Sequence, residues 1–84
     1  MAGFAEFYQA ARDGCLRAVF ATVGDRQAAE DLVAEAFARA WVRWRTVRDH
    51  PAPSAWVVRT ALNTRVRLLA GRHAKSRGFR TSRS

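Results

Sequence analysis

Several features that define common protein classes are scarce or absent in this sequence of 84 residues. It has a single cysteine, Cys15, which excludes an internal disulfide and a multi-cysteine metal site and fits a reducing cytoplasm. Cys15 is interpreted either as a redox switch or as a small buried apolar residue, and burial is favoured. We expect no signal peptide, because the N-terminus lacks a basic segment followed by an apolar one. No apolar run is long enough to span a membrane, so we expect a cytoplasmic protein without membrane insertion.

Signatures of enzymes are also absent. The sequence has no glycine-rich phosphate-binding loop, no paired histidine ligands and no nucleophile with a plausible base nearby. The serines are interpreted as one helix cap, Ser54, and as residues of a polar C-terminal segment. We therefore expect no enzyme, no metal and no cofactor, and a function based on binding.

Positive charge is in excess and is placed unevenly. Residues 1–38 hold three basic and six acidic side chains, a net charge of −3. Residues 39–84 hold twelve basic side chains against Asp49 alone, a net charge of +11. Fourteen of the fifteen basic residues are arginine, which suits phosphate and base-edge contacts, although GC-rich codon usage gives the same bias. The split indicates two partners, a cationic or mixed surface for the first half and a polyanion for the second.

Hydrophobic periodicity predicts three long helices, of which the first spans Phe4 to Val23. Gly24 is placed to end this helix, and Gly14 within it is interpreted as a bend or a site of close packing. Asp25 is predicted to cap the second helix, which runs to about Val47. The buried face of the second helix follows the i, i+3, i+4, i+7 pattern: Ala29, Leu32, Val33, Ala36, Phe37, Ala40, Trp41 and Trp44.

The segment Arg48–Pro53 breaks the helical pattern, because its two prolines bar helix and favour extended conformations before them. Ser54 is predicted to cap a third helix, from Ala55 to about His73. Its predicted buried residues are Val58, Ala61, Leu62, Val66 and Leu69. From Gly71 the chain is rich in Gly, Ser, Arg and Lys, which is typical of a flexible segment. The predicted fold is therefore all-α, a compact three-helix domain over residues 1–73 with a flexible basic C-terminal tail over residues 74–84.

The second helix carries another face, which combines carboxylates with small apolar side chains: Asp31, Ala34, Glu35, Ala38 and Val42. Asp31 and Glu35 are four residues apart and therefore project on the same side. A solvated helix face would explain the two carboxylates alone. The small side chains beside them let another helix approach closely, which favours a docking surface.

Polar residues of the third helix form a second candidate surface. They fall on one stripe: Trp56, Arg59, Thr60, Asn63 and Arg67. Arginine and asparagine suit guanine and adenine edges, and further arginines neutralise phosphates. Trp56 is interpreted as a stacking platform for a base or, preferably, as a residue packed on the core.

The loop Arg48–Pro53 precedes this helix and is constrained by its prolines. A rigid loop forms a pocket at little entropic cost, and Arg48, Asp49 and His50 are the candidate contacts. A plain surface connector is the alternative. His50 alone indicates neither catalysis nor metal binding.

Two segments resemble conserved region 2 of bacterial sigma-70-family factors, above all those of the extracytoplasmic-function group. The first is Glu30–Phe37, and the second combines Ala55-Trp56-Val57 with Ala61-Leu62-Asn63. Their order and separation fit the family, and the resemblance extends from about Phe4 to about Arg72. Two positions depart from it: the family usually has Gln where this chain has Ala34, and often Asp where it has Arg67.

The resemblance implies a transcription initiation factor domain that recognises and opens the −10 promoter element. In the family, the acidic face docks on the clamp helices of the largest subunit of core RNA polymerase, here Asp31, Ala34, Glu35, Ala38 and Val42. The loop captures an extruded base and the third helix faces the −10 element, mainly as single-stranded DNA. The residues so assigned are Arg48, Asp49, His50, Arg59, Thr60, Asn63 and Arg67. An anti-sigma protein is a further candidate partner.

Two other functions stay open at the level of sequence. One is a helix-turn-helix or homeodomain-like protein that binds duplex DNA by itself. That class needs a short turn and a compact recognition helix, whereas here a loop with two prolines joins two long helices. The other is an interaction module or decoy that binds polymerase or an anti-sigma protein without initiating transcription.

Overall fold

The computed structural model describes the backbone of residues 3–83 and the side chains of residues 3–70. Over residues 3–83 it contains four helices: α1 (Phe4–Val23), α2 (Arg26–Val42), α3 (Trp44–Arg48) and α4 (Pro53–Arg83). The described backbone has no strand, so the predicted all-α fold is confirmed. The bounds of α1 are those that the sequence predicts. The chain departs from the predicted three helices by the additional short helix α3.

The turn between α1 and α2 forms as the sequence predicts. Gly24 adopts the left-handed conformation, with φ of 80°, and its N–H donates to the carbonyl of Phe20 at 2.7 Å. Glycine suits this position because it has no Cβ to clash with the backbone. The Oδ1 atom of Asp25 then accepts a hydrogen bond from the N–H of Ala28 at 3.1 Å, which caps α2.

Gly14 does not serve close packing. A side chain at this position would have no neighbour within 4 Å of its Cβ, and the residue lies exposed in the middle of α1. The interpretation of Gly14 as a packing site is therefore wrong, because its side of the helix faces solvent and not another element.

The prediction of one helix continuing to Val47 is also wrong. α2 ends at Val42, Arg43 leaves the helical conformation with φ of −107° and ψ of 30°, and α3 follows. The stretch from Trp41 to Val47 combines two tryptophans with three β-branched residues, all weak helix formers. After the break, the N–H groups of Thr46 and Val47 both donate to the carbonyl of Arg43, at 2.9 Å each.

The core lies where α1, α2 and α4 meet. The predicted buried face of α2 is confirmed for its first six residues, which all lie inside. Val19 of α1, Val47 of α3 and Val57 of α4 are fully buried and join these residues in one cluster. Trp44 is half-buried, and its ring lies 5.6 Å from that of Phe4 and 5.2 Å from that of Phe7. Trp41 departs from the prediction, since 63% of its surface is exposed.

α4 begins two residues earlier than the sequence predicts. The N–H of Trp56 donates to the carbonyl of Ala52 at 3.1 Å, so the helix starts at Pro53 and Ser54 is not its cap. Proline suits the first helical position because its missing N–H would have no helical partner there. The side chain of Ser54 is exposed.

The buried side of α4 is rotated from the predicted one. Val57, Ala61 and Thr64 are buried, whereas Val66 and Leu69 are exposed, so the predicted burial of the last two is wrong. The hydroxyl of Thr64 donates to the carbonyl of Thr60 at 2.9 Å, which allows a polar residue to lie in the core. Small Ala61 and Thr64 therefore face the bundle, and Val58 and Leu62 pack at its edge.

The end of α4 differs from the prediction as well. The helix continues to Arg83, past His73, where the sequence predicted its end. The side chains of residues 71–84 lie outside the described part of the chain. The division into a domain over residues 1–73 and a flexible tail over residues 74–84 stays a prediction.

Candidate polymerase and DNA interfaces

The acidic face of α2 is exposed at all of its predicted positions: Asp31, Ala34, Glu35, Ala38 and Val42. Val42 is 79% exposed. The opposite side of the same helix supplies half of the core, which fixes the direction in which this face points. We call this surface the acidic face.

Both carboxylates of the acidic face have local partners. The Nε2 of Gln27 donates to Asp31 at 3.3 Å, and the Nε of Arg39 donates to Glu35 at 3.2 Å. Exposed pairs at this spacing are worth only a few tenths of a kcal/mol. A partner with its own cationic groups could therefore replace them at small cost.

The C-terminal end of the acidic face borders a shallow depression of about 320 Å³ lined by Ala38, Arg39, Val42 and Arg43. Trp41 does not line this depression: its ring centroid lies 5.3 Å from that of Phe4, and 63% of its surface is exposed. Sequence periodicity placed Trp41 in the core, because it lies at the margin of the buried stripe. Tryptophan is enriched at protein interfaces, so the exposed Trp41 is a further candidate contact residue.

The loop between α3 and α4 is held by hydrogen bonds. The N–H of His50 donates to the carbonyl of Val47 at 3.0 Å, and the Nδ1 of His50 accepts from the N–H of Ala52 at 2.9 Å. The predicted rigidity of the loop thus has a second source besides its prolines. His50 is half-buried, and the predicted contact residues Arg48 and Asp49 are exposed.

An open groove of about 550 Å³ lies beside this loop. It runs between the start of α1, the helix α3 and the start of α4, and its lining is Gly3, Glu6, Phe7, Trp44, Arg48, Asp49 and Pro53. Arg48 and Asp49 therefore line a concave surface, whereas His50 does not. The sequence missed Phe7 and Trp44 as lining residues, because aromatic residues of an amphipathic helix were attributed to the core.

The polar face of α4 is open to solvent at Arg59, Asn63 and Arg67, and Thr60 beside them is half-buried. Trp56 packs against the core cluster, so packing is the interpretation that the structure supports. Among the described ion pairs, none involves Arg59 or Arg67. Both guanidinium groups can therefore bind an anion without first breaking an ion pair with a carboxylate. We call Arg59, Thr60, Asn63 and Arg67 the polar face.

Cys15 lies in the interior, with 2% of its surface exposed. Its thiol is within 3.7 Å of the carbonyl oxygen of Ser54, to which it donates. Burial raises the pKa of the Cys15 thiol, which lowers its reactivity. These observations favour the small buried residue over the redox switch.

Within residues 3–70 no group of three or more His, Cys, Asp or Glu side chains is arranged to hold a metal ion. In the part of the chain that the structure describes, no helix is both long enough and apolar enough to cross a membrane.

Comparison with known proteins agrees with the resemblance in the sequence. The family model described as sigma-70 region 2 matches residues 7–75. The RNA polymerase sigma-E factor of Streptomyces coelicolor is 36% identical over 62 residues, which make up 74% of this chain and 35% of that protein. No solved structure matches. Because the family model covers most of the chain and the helices contain its two motifs, the chain belongs to the sigma-70 family, of which it contains region 2.

Proposed function

We propose that this chain acts in transcription initiation, as a region 2 module that binds core RNA polymerase and the −10 promoter element. The family membership supports this proposal, and the relative from Streptomyces coelicolor carries the name of an RNA polymerase sigma factor. The chain spans 35% of the length of that relative, so the activity is proposed for this module alone.

The observation that carries the proposal is the presence of two unlike exposed surfaces on one small core. The acidic face combines Asp31 and Glu35 with small side chains, while the polar face combines two arginines with Asn63. Binding partners tend to have complementary electrostatic potentials. The acidic face therefore fits a basic protein surface, and the polar face fits a polyanion. A protein that connects polymerase with promoter DNA needs both.

Polymerase binding is assigned to the acidic face. Ala34, Ala38 and Val42 provide a smooth strip on which a helix can lie closely, and the carboxylates flank it. The family's partner is the pair of clamp helices in the largest polymerase subunit, and we assign the same partner here. Trp41 and the depression beside Val42 extend the contact towards the end of α2.

DNA binding is assigned to the loop and the polar face. Arg59 and Arg67 neutralise phosphates, and Asn63 hydrogen-bonds a base edge. The groove lined by Phe7, Trp44 and Arg48 has two aromatic rings and a guanidinium, the groups that stack on and hold an extruded base. Removing a base from the stack costs a few kcal/mol, which such contacts must offset.

Reconstituted transcription tests the proposal. The purified chain is mixed with core polymerase and a premelted −10 template, and specific initiation is the expected result. The control template has a scrambled −10 sequence. Polymerase binding without initiation would instead assign the chain to the decoy class, and selective binding to intact duplex without polymerase would assign it to self-sufficient DNA-binding proteins. An anti-sigma protein that uses the acidic face would compete with polymerase in the same assay.

A further inference from the structure

α4 carries an apolar stripe that the bundle leaves largely uncovered. Val58 and Leu62 are half-buried at the edge of the core, and Val66 and Leu69 continue along the same side with 60% and 45% of their surface exposed. With 3.6 residues per turn, these four side chains fall within an arc of about 80°. Contiguous exposed apolar residues of this kind mark interaction sites more often than isolated ones.

The four side chains of this stripe belong to none of the surfaces already assigned, although Arg59 of the polar face borders the stripe. Asn63 and Arg67 of the polar face lie roughly 100° or more around the helix from its centre. The buried side of α4, with Val57 and Ala61, lies on the other side of the stripe. Aliphatic side chains contribute little to contacts with phosphates and base edges, so the stripe needs an occupant other than DNA.

Arginines border the stripe on both sides. Arg59 is exposed along one margin and Arg65 is half-buried along the other. Neither takes part in an ion pair among the described residues, and the sequence has no acidic residue after Asp49. A surface that complements this one therefore has an apolar ridge with carboxylates on both flanks.

We infer that the stripe of Val58, Leu62, Val66 and Leu69 is a docking site for an acidic amphipathic helix of a partner protein. Such a helix places aliphatic residues at i, i+3 or i+4, and i+7 against the stripe and glutamates against Arg59 and Arg65. Two copies of this chain pairing through the stripe would bring like-charged arginines together. Anionic lipid would attract the arginines, but interfacial binding scales with buried apolar area, and the stripe has no aromatic residue.

Peptide binding to the full chain tests the inference without polymerase or DNA, so its failure leaves the proposed function untouched. One synthetic helical peptide carries leucines at i, i+3 and i+7 between glutamates, and a matched peptide has glutamine in place of every glutamate. In NMR titrations the acidic peptide should shift the amide signals of Leu62, Val66 and Leu69. The glutamine peptide should bind roughly tenfold more weakly, since close charge pairs across an interface contribute at least about that factor.

Variants locate the site. The double substitution Val66→Lys and Leu69→Lys should weaken binding of the acidic peptide at least tenfold. The matched control is Leu68→Lys, which changes a leucine that is 58% exposed but lies on another side of the helix and should leave affinity unchanged. Circular dichroism checks that both variants fold.

Three kinds of result would overturn the inference. The first concerns the peptides: neither of them binds, or the two variants lose affinity for the acidic peptide equally. The second is binding to phosphatidylglycerol vesicles, abolished by the double substitution, in the absence of peptide binding, which would assign the stripe to a membrane surface. The third is concentration-dependent self-association that the double substitution abolishes, which would assign it to a second copy.

Discussion

The Nδ1 atom of His50 accepts a hydrogen bond from the backbone N–H of Ala52 at 2.9 Å. Pro51 lies between these two residues and has no N–H of its own, so this side-chain bond closes the loop where the backbone cannot. The ring must keep a lone pair on Nδ1 and its proton on Nε2 to serve as this acceptor. His50 therefore holds the loop, and contact of Arg48, Asp49 and His50 with DNA stays a prediction.

The first prediction concerns this hydrogen bond. His50→Ala should lower the hydrogen-exchange protection of the Ala52 amide, with a loss of about 1 kcal/mol of local stability. His50→Asn should keep most of the protection, because an asparagine side chain accepts from the N–H two residues later. If both variants lose protection equally, the ring holds the loop in another way.

The second prediction concerns Cys15. Its pKa is raised from its ordinary value of 9.0 by burial, so the unfolded chain ionises at lower pH than the folded one. The stability that the neutral buried thiol contributes is fully present below that ordinary value and declines as the pH rises above it. Urea unfolding from neutral pH to above the ordinary value should show this decline in the wild type.

The control for Cys15 is Cys15→Ala, which lacks the ionising group. The difference in unfolding free energy between wild type and variant should narrow as the pH rises. A difference that stays constant would mean that the thiol is not desolvated in the folded chain. In the same samples, thiol reagents should modify folded Cys15 much more slowly than the unfolded chain.

A pair of glycine substitutions forms the third prediction. Gly14→Ala should raise the free energy of unfolding by about 0.5–1 kcal/mol, because the site is helical and open and alanine loses less backbone entropy. Gly24→Ala should lower it by about 1 kcal/mol, since φ of 80° strains any residue with a Cβ. Thermal unfolding measures both. The two substitutions should change the free energy of unfolding in opposite directions. A change of the same sign and size in both variants would contradict the backbone conformations assigned to Gly14 and Gly24.

Much of the fold could be predicted from local signals. Gly24 and Asp25 mark a helix end and a helix start by their own chemistry, and both form as predicted. The buried face of α2 follows from spacing alone up to Ala40. The break at Arg43 could not be predicted in this way, because weak helix formers permit a break without fixing its position.

The candidate site was predicted less completely, for physical reasons. Periodicity cannot distinguish two apolar stripes on one helix, and on α4 it selected Val66 and Leu69 in preference to the side that contains Thr64. Thr64 lies in the core because its hydroxyl donates to the carbonyl of Thr60, a bond that no hydrophobicity pattern records. The role of His50 in the loop depends in the same way on one local hydrogen bond, from the N–H of Ala52 to its Nδ1.

The fourth prediction tests the acidic face. Asp31→Lys with Glu35→Lys should weaken binding to core polymerase by roughly tenfold or more, since removing charge pairs at an interface costs a few kcal/mol. Helicity should change little because both side chains are exposed and their local pairs are weak. The matched control is Asp13→Lys on α1, an exposed carboxylate outside the face. Equal affinity of both variants in a fluorescence titration would remove the docking assignment.

The fifth prediction separates charge attraction from base reading on the polar face. Affinity for a single-stranded −10 oligonucleotide should fall steeply with salt, and Arg59→Ala with Arg67→Ala should flatten the log–log slope because fewer counterions are released. Asn63 is neutral, so Asn63→Ala should leave the slope unchanged.

Asn63→Ala should instead relax the preference at one promoter position by roughly 1–3 kcal/mol, the value of one good base-edge contact. Binding to a set of oligonucleotides that differ at single positions measures this preference, with an abasic substitute as the reference. The loop variant Pro51→Gly should likewise reduce binding to the preferred base more than to the abasic site, because its added freedom loosens the groove that Arg48 and Asp49 line. Uniform losses on every oligonucleotide would mean that Asn63 and the loop hold the backbone, and that base selection depends on other residues.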